Sequence, residues 1–386
     1  MEGKLISAVA GDGEKRGMSD MDDYLKEQIF KKLPLISIFQ IRLVCKQWNE
    51  ILSSPKFLSS LPEQNPWLLI FSKDYCRSYC FSTKKWRGIS LSFLPTLPRN
   101  GFRVDMLLST ALGLLGFLES PTIHNAGWYE ENPKLYLCNP LMRIYSQTEI
   151  KEARKDMYIV QGRSVKPYLV LTIGRTYKKF LRIYHYCQDA WRIKHEFPVN
   201  LDFCTEEIVE CKGFLFWRTS SDAIIDGLSI EVGCTKPVKM APLPCQLVED
   251  ENKRERALFK SIVAYGSSVL LVVLRNEYED EIEPLRMVIW ELFEDNLLWK
   301  WKELVRMSAH SLPQVFRGDK RIEECITVGD FLCLRIREPY SDEIVAYNLK
   351  QRFWQFLRES GRKKCTQMLS FDPKLIFPEF LPIFRE

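Results

Sequence analysis

One pattern limits this chain more than any other: from Asn65 onward it is written in short β-type segments that recur in two alternating forms. One form is an apolar run holding a single glycine: LLLSTALGLLGFL, EIVECKGFLFW, SIVAYGSSVLLVVL and ECITVGDFLCLRI, with glycines at Gly113, Gly213, Gly266 and Gly329. The other is a strand with Tyr or Phe, a polar turn and then Trp or its substitute, as in YCFSTKKW, KLYLCNPLMRIY, LRIYHYCQDAW and IVAYNLKQRFW. Trp86 and Trp354 lie 268 residues apart, which five intervals divide into about 54 each.

That length suits four antiparallel strands, the content of one blade of a β-propeller. The 322 residues from Asn65 to Glu386 accommodate six such units. On this reading the aromatic residue packs between neighbouring blades, and the glycine lets strand backbones approach or bulge near the hub. The segment Pro373 to Phe384 is expected to complete the blade begun by Trp67 to Phe71.

The first sixty residues follow a different rule. Residues 1–18 are rich in Gly and charge and are expected to be a disordered tail. Ser19 then precedes Asp22 in a weak capping-box pattern, and Leu25, Ile29, Phe30 and Leu33 follow at helical spacing until Leu33-Pro34 ends the segment. Ser37 is placed to cap a second helix carrying Ile38, Ile41, Val44, Cys45, Trp48 and Ile51, with a break near Cys45 and a stop at Pro55. Ser19 to Ser60 thus makes about three helices in 42 residues, too few to bury an ordinary core unaided. Two readings remain: a helical cap on the rest of the same chain, or a module that needs a partner.

Charge and cysteine usage narrow the partners. Lys and Arg number 55 against 50 Asp and Glu, a formal +5 that is mild for 386 residues, so no nucleic acid is expected to bind directly. The apolar run Leu5 to Ala10 is too short for a signal-peptide core, and Leu107 to Leu118 is well short of a bilayer span, so a soluble protein of cytosol or nucleus is expected. Twelve scattered cysteines, without CxxC or HxxxH, read as reduced thiols rather than zinc ligands or a disulfide framework.

Chemistry is thin. The four histidines, His124, His185, His195 and His310, are dispersed, and GxSxG, GxxxxGK[ST] and GxGxxG are absent. The carboxylate runs Glu249-Asp250-Glu251 and Glu279-Asp280-Glu281 read as solvated loops. No catalytic residue, cofactor or metal is expected, with a propeller enzyme as the lesser alternative.

The residues Leu33-Pro34, Arg42-Leu43-Val44-Cys45-Lys46-Gln47-Trp48 and Ser53-Ser54-Pro55-Lys56-Phe57 resemble the F-box motif of plant F-box proteins, with Met21-Asp22 standing where that motif usually begins with Leu-Pro. Residues 65–386, with LYLCNP at Leu135 to Pro140 and FDPKL at Phe371 to Leu375, resemble the kelch-type propeller of the plant F-box/kelch family, although the paired glycines of a strict kelch repeat are missing. The resemblance implies an all-α F-box domain at 19–60 followed by an all-β propeller at 65–386. It further implies the substrate-recognition subunit of an SCF ubiquitin ligase, non-catalytic, docking on a Skp-type adaptor and through it on cullin. Adaptor binding then falls to Leu25, Ile29, Phe30, Leu33, Pro34, Ile38, Ile41, Val44, Cys45, Trp48 and Ile51. A non-proteolytic scaffold or transcriptional co-regulator would use the same domains.

For the protein target, the long connections Ser120 to Asn132, Lys151 to Lys166, Glu277 to Pro284 and Ser308 to Arg321 are the expected binding face. Asn125, Trp128 and Tyr129 supply hot-spot types, and Arg154, Lys155 and Arg163 suit an acidic partner. Packing on an adjacent blade is the competing role for the two aromatics.

Overall fold

The structure is a computed structural model and describes residues 21–61 and, between 65 and 373, the strands named below with their adjoining turns. The chain falls into two compact units, residues 1–63 and 64–386. The tail expected at 1–18 lies outside the described residues.

The first unit holds four short helices, α1 (Asp23–Lys31), α2 (Leu35–Ile41), α3 (Lys46–Ser53) and α4 (Pro55–Ser60). In α1 the residues that go inside are Lys26 and Phe30, four apart and therefore on one face. Lys26 Nζ sits 3.1 Å from Asp23 Oδ1. The second helix begins earlier than its expected Ser37 cap. Pro34 holds the N-cap at φ −56°, ψ 142°, and its carbonyl accepts from the amides of Ser37 and Ile38, so the fixed proline ring angle sets the helix entry. The expected break occurs at residues 42–45, where Cys45 turns extended and its Sγ accepts from the Trp48 amide at 3.5 Å.

Pro55 does not stop the module. It occupies the first turn of α4, where a missing amide hydrogen costs nothing, and Ser54 Oγ caps the helix by accepting from the Phe57 amide at 3.2 Å. Phe30, Leu35, Ile38, Leu52 and Phe57 are each at most 5% exposed. Phe30 also meets Trp48 edge to face, with ring centres 5.2 Å apart.

The second unit is a succession of antiparallel sheets. The first is built on β1 (Trp67–Ser72), β2 (Tyr75–Cys80) and β3 (Lys85–Ile89), and the second on β4 (Met106–Ser109), β5 (Leu115–Glu119), β6 (Lys134–Asn139) and β7 (Ile144–Glu149). A third contains β8 (Asp156–Val160), β9 (Leu169–Ile173), β10 (Lys179–Cys187) and β11 (Ala190–Val199), and a fourth β12 (Phe203–Cys211), β13 (Phe214–Thr219) and β14 (Ile225–Ser229). The fifth runs through β15 (Ala257–Tyr265), β16 (Ser268–Asn276), β17 (Leu285–Asp295) and β18 (Leu298–Met307). The sixth runs through β19 (Arg321–Val328), β20 (Phe331–Arg337), β21 (Asp342–Asn348) and β22 (Phe353–Phe356). Finally β23 (Gln367–Phe371) returns to pair with β1, Trp67 opposite Phe371 and Phe71 opposite Gln367. The strand that completes the first sheet is therefore Gln367–Phe371, just ahead of the expected Pro373–Phe384.

One strand from each sheet faces its neighbours in turn: β4 lies beside β8, β8 beside β12, β12 beside β15, β15 beside β19, β19 beside β23 and β23 beside β4. Such a ring of sheets is a β-propeller. The near-continuous apolar run of β16 follows from this arrangement, because both its faces are covered. Leu270, Val272 and Leu274 join a cluster with Leu332, Leu334 and Val345 of the sixth sheet, whereas Val269, Leu271 and Val273 join Cys211 and Phe216 of the fourth.

The recurring glycines play another part than the expected bulge. The four glycine-bearing runs lie along the opening hairpins of their sheets, and Gly266 and Gly329, at φ 55° and 58°, take the first central position of two-residue turns closed by Tyr265–Ser268 and Val328–Phe331. Gly213 lies outside the described residues. The aromatic form of the repeat holds as expected. Tyr79 and Trp86 face each other across β2 and β3 at 5.0 Å, and Tyr347 and Trp354 across β21 and β22 at 4.9 Å.

The ring is also fastened by a half-buried polar cluster. Arg335 on β20 donates to Glu324 Oε2 at 3.1 Å, to Asp342 Oδ2 at 3.4 Å and to the Cys365 carbonyl at 3.1 Å. The same carboxylates accept from the chain leading into β23: the Cys365 amide reaches Asp342 Oδ2 at 2.8 Å and the Met368 amide reaches Glu324 Oε2 at 2.9 Å.

Candidate functional site

The helical unit leaves a run of apolar side chains in water. Leu25 and Ile29, one helical turn apart on α1, are 49% and 38% exposed, and Tyr24 is 60% exposed. The break between α2 and α3 adds Leu43 at 88% and Val44 at 62%, with Cys45 also exposed. Gln47 Nε2 donates to Asp23 Oδ1 at 2.9 Å, tying the first turn of α3 to the first turn of α1. A surface of this kind works by surrendering water, since burying one Leu, Ile or Val side chain is worth about 1.5–3 kcal/mol.

The polar frame around this surface is already paired. Arg42 Nε donates to Asn49 Oδ1 at 2.9 Å. Lys31 Nζ lies 2.8 Å from Glu27 Oε1, and that hydrogen bond holds the Glu27 carboxyl below the usual carboxylate range.

The eleven residues expected to bind an adaptor divide by position. Leu25, Ile29, Pro34, Val44 and Cys45 are exposed, and Leu33, Ile41, Trp48 and Ile51 are half-buried. Phe30 and Ile38, each 1% exposed, are corrected to core residues: they face inward on their helices and have no surface left to offer. Leu43 and Tyr24 are exposed apolar residues outside that expected set. Leu43 sits in the non-helical break, where a search for a helical stripe does not look, and Tyr24 lies beside Leu25 off the apolar stripe.

In the sheets, Asn125, Trp128, Tyr129, Arg154, Lys155 and Arg163 lie outside the described residues, as do Ser120 to Asn132 and Glu277 to Pro284. Two expectations for the target-binding loops change. Asp156 to Val160, inside the supposed connection Lys151 to Lys166, is strand β8. The stretch after Ser308 is pinned to the core, with a 3-10 turn at Gln314–Phe316 and with Leu312 and Phe316 buried. The thiols of Cys76, Cys138, Cys333 and Cys365 are buried, and burial pushes each well above its ordinary pKa. No helix among the described residues is long and apolar enough to cross a membrane.

Comparison with known proteins places the helical unit. Residues 18–60 match the F-box domain family. Over 367 residues the chain is 22% identical to F-box only protein 6 of Arabidopsis thaliana, covering 90% of this chain and 71% of that one. It is 30% identical over 130 residues to an F-box/kelch-repeat protein of the same plant, spanning 32% of this chain and 28% of the relative. Among solved structures, TolB from Acinetobacter baumannii is similar with a TM-score of 0.45 at 10% identity, covering 86% of this chain and 71% of that chain. A nidogen/laminin complex gives 0.41 at 8% identity, over 80% of this chain and 100% of that chain. At those scores the structural likenesses carry no argument.

Proposed function

We propose that this chain, a protein of the plant F-box/kelch family, is the substrate-recognition subunit of an SCF-type ubiquitin ligase. Its F-box docks on a Skp-type adaptor and through it on cullin, while the propeller, read as six blades, holds a target protein for ubiquitination and degradation. The chain performs no bond chemistry itself; its contribution is to place one molecule beside another. The observation that carries the reading is the coincidence of the F-box match at 18–60 with a helical unit whose Leu25, Ile29, Leu43 and Val44 stand in water. Asn125, Trp128, Tyr129, Arg154, Lys155 and Arg163 remain the proposed target contacts.

Co-purification with a Skp-type adaptor tests the docking step. Ile29→Asp combined with Val44→Asp places two charges on the exposed face and touches none of the buried side chains. It is expected to lower adaptor capture by more than about tenfold while the melting temperature stays within a few degrees. Undiminished capture by that double variant would overturn the docking surface.

A further inference from the structure

The turns between the third and fourth strands of three consecutive sheets share an unusual feature. Lys84 in the first sheet, Arg143 in the second and Arg352 in the sixth each hold positive φ, at 54°, 57° and 58°, and each is exposed. A left-handed conformation costs a residue with a Cβ about 1 kcal/mol, and glycine would escape that cost. Three times this chain sets a long cation there instead.

The turns of the second and sixth sheets are built alike. Asn139 Oδ1 accepts from the amides of Leu141 and Met142, and Asn348 Oδ1 from those of Lys350 and Gln351, each bond between 2.7 and 3.0 Å. Lys85 and Lys350 add two more exposed cations at the same end. Lys350 is held at 2.9 Å by Asp330 in the adjoining hairpin turn. Among the described residues, Lys84, Lys85, Arg143 and Arg352 pair with no carboxylate. The corresponding turn of the fifth sheet begins instead with Glu294 and Asp295, the latter bound to Lys300 at 2.7 Å, so among the described turns the cations without a carboxylate fall on the sixth, first and second sheets.

Between these cations runs a seam of rings. Phe81, in the same turn as Lys84, stacks on Phe331 with centres 4.0 Å apart and planes 12° off parallel, and Phe331 meets Phe353 edge to face at 6.3 Å. Phe353 follows Arg352 directly and is 41% exposed.

We infer that this end of the sixth, first and second sheets is a docking surface for an acidic segment of polypeptide carrying an aromatic or large apolar side chain. The cations meet the carboxylates, and the exposed ring of Phe353 receives the apolar anchor. Single-stranded nucleic acid fits less well, because the faces of Phe81 and Phe331 are spent on each other, and the exposed rings of Phe353 and Tyr145 stand on different sheets rather than in the succession that stacked bases need. The inference rests on the proposed function only in taking the segment to belong to the ligase target.

Fluorescence anisotropy on the full chain tests it. The probe is a labelled twelve-residue peptide of Asp and Glu with one central Trp, compared with its Lys counterpart and with a twelve-nucleotide single-stranded RNA. The acidic peptide is expected to bind at least about tenfold more tightly than the basic one and to weaken severalfold as salt rises from about 50 to 300 mM. Lys84→Glu with Arg352→Glu should weaken it by about tenfold or more, and Phe353→Ala by several-fold, with melting curves unchanged. Lys302→Glu with Arg321→Glu, an equal change of charge away from this end, should leave affinity within about twofold. Absence of binding by the unaltered chain, equal loss in the second pair, or tighter binding of the RNA would each overturn the surface. None of these outcomes bears on adaptor capture, which reads the helical unit alone.

Discussion

The helical unit and the propeller handle apolar surface in opposite ways. Of the nine large apolar side chains exposed among the described residues, five (Tyr24, Leu25, Ile29, Leu43 and Val44) fall in the short stretch 21–61, and only four in the much longer sheet unit. The sheets can afford this economy because both faces of a strand such as β16 are covered by neighbouring sheets, whereas a set of helices of six to nine residues has no second layer to hide behind. The difference teaches where each unit draws its order. In the helices it is local, from caps such as Cys45 and Ser54. In the propeller it depends on contacts between residues some 300 positions apart, as where β23 meets β1.

The test most able to break this contrast is Phe371→Ala. Phe371 is fully buried where β23 pairs with β1, and its truncation should cost the sheet unit about 3–5 kcal/mol. Denaturant unfolding followed by tryptophan fluorescence would report it, and adaptor capture by the helices should persist. A loss near zero would mean that long-range closure contributes little.

Next in size is a pH effect at the polar cluster around Arg335. Burial raises the Glu324 carboxyl from an ordinary 4.5 to about 7, against the pull of Arg335 and the Met368 amide. Between those values the folded chain holds a proton that the unfolded chain has released, so this group's stabilisation is complete below about 4.5 and is lost as the pH rises through 7. Glu324→Gln should therefore flatten the stability profile between about pH 5 and 8, removing a decline of about 2 kcal/mol. An unchanged slope in thermal melts would show that Glu324 is not the group responsible.

The smallest effect sharpens the helical side. Ser54→Ala removes the cap that accepts the Phe57 amide and should cost the helices about 1 kcal/mol, visible as a lower helical melting temperature with the sheet transition unmoved. A coupled shift of both transitions would contradict local order.

Legibility in the sequence followed the range of the interactions. The Tyr79–Trp86 and Tyr347–Trp354 pairs, separated by one turn, were plain as a repeated phrase, and the break at Cys45 was visible in the helical spacing. Local choices between two cap residues were harder: Pro34 took the place expected for Ser37 because its carbonyl was already positioned, and Pro55 opened a helix because its preceding Ser54 could cap one. Gly266 and Gly329 were recognised as special, yet whether a glycine serves a bulge or a turn depends on strand pairing that composition does not display. The closing strand was misplaced by a few residues, since Gln367–Phe371 and the later apolar stretch are equally suited to a strand and only register with Trp67 decides. Among the exposed apolar residues of the helices, Leu25 and Ile29 came from periodicity, whereas the buried Phe30 and Ile38 share the same apolar character and differ only in direction.

The pairing of β23 with β1 sets a timetable for synthesis. A ribosome must deliver about 300 further residues after Trp67 before its partner emerges, so β1 waits through that synthesis with one edge bare. The helices, in contrast, are finished within the first sixty-odd residues. A nascent or prematurely terminated molecule would thus display finished helices while its ring is still open.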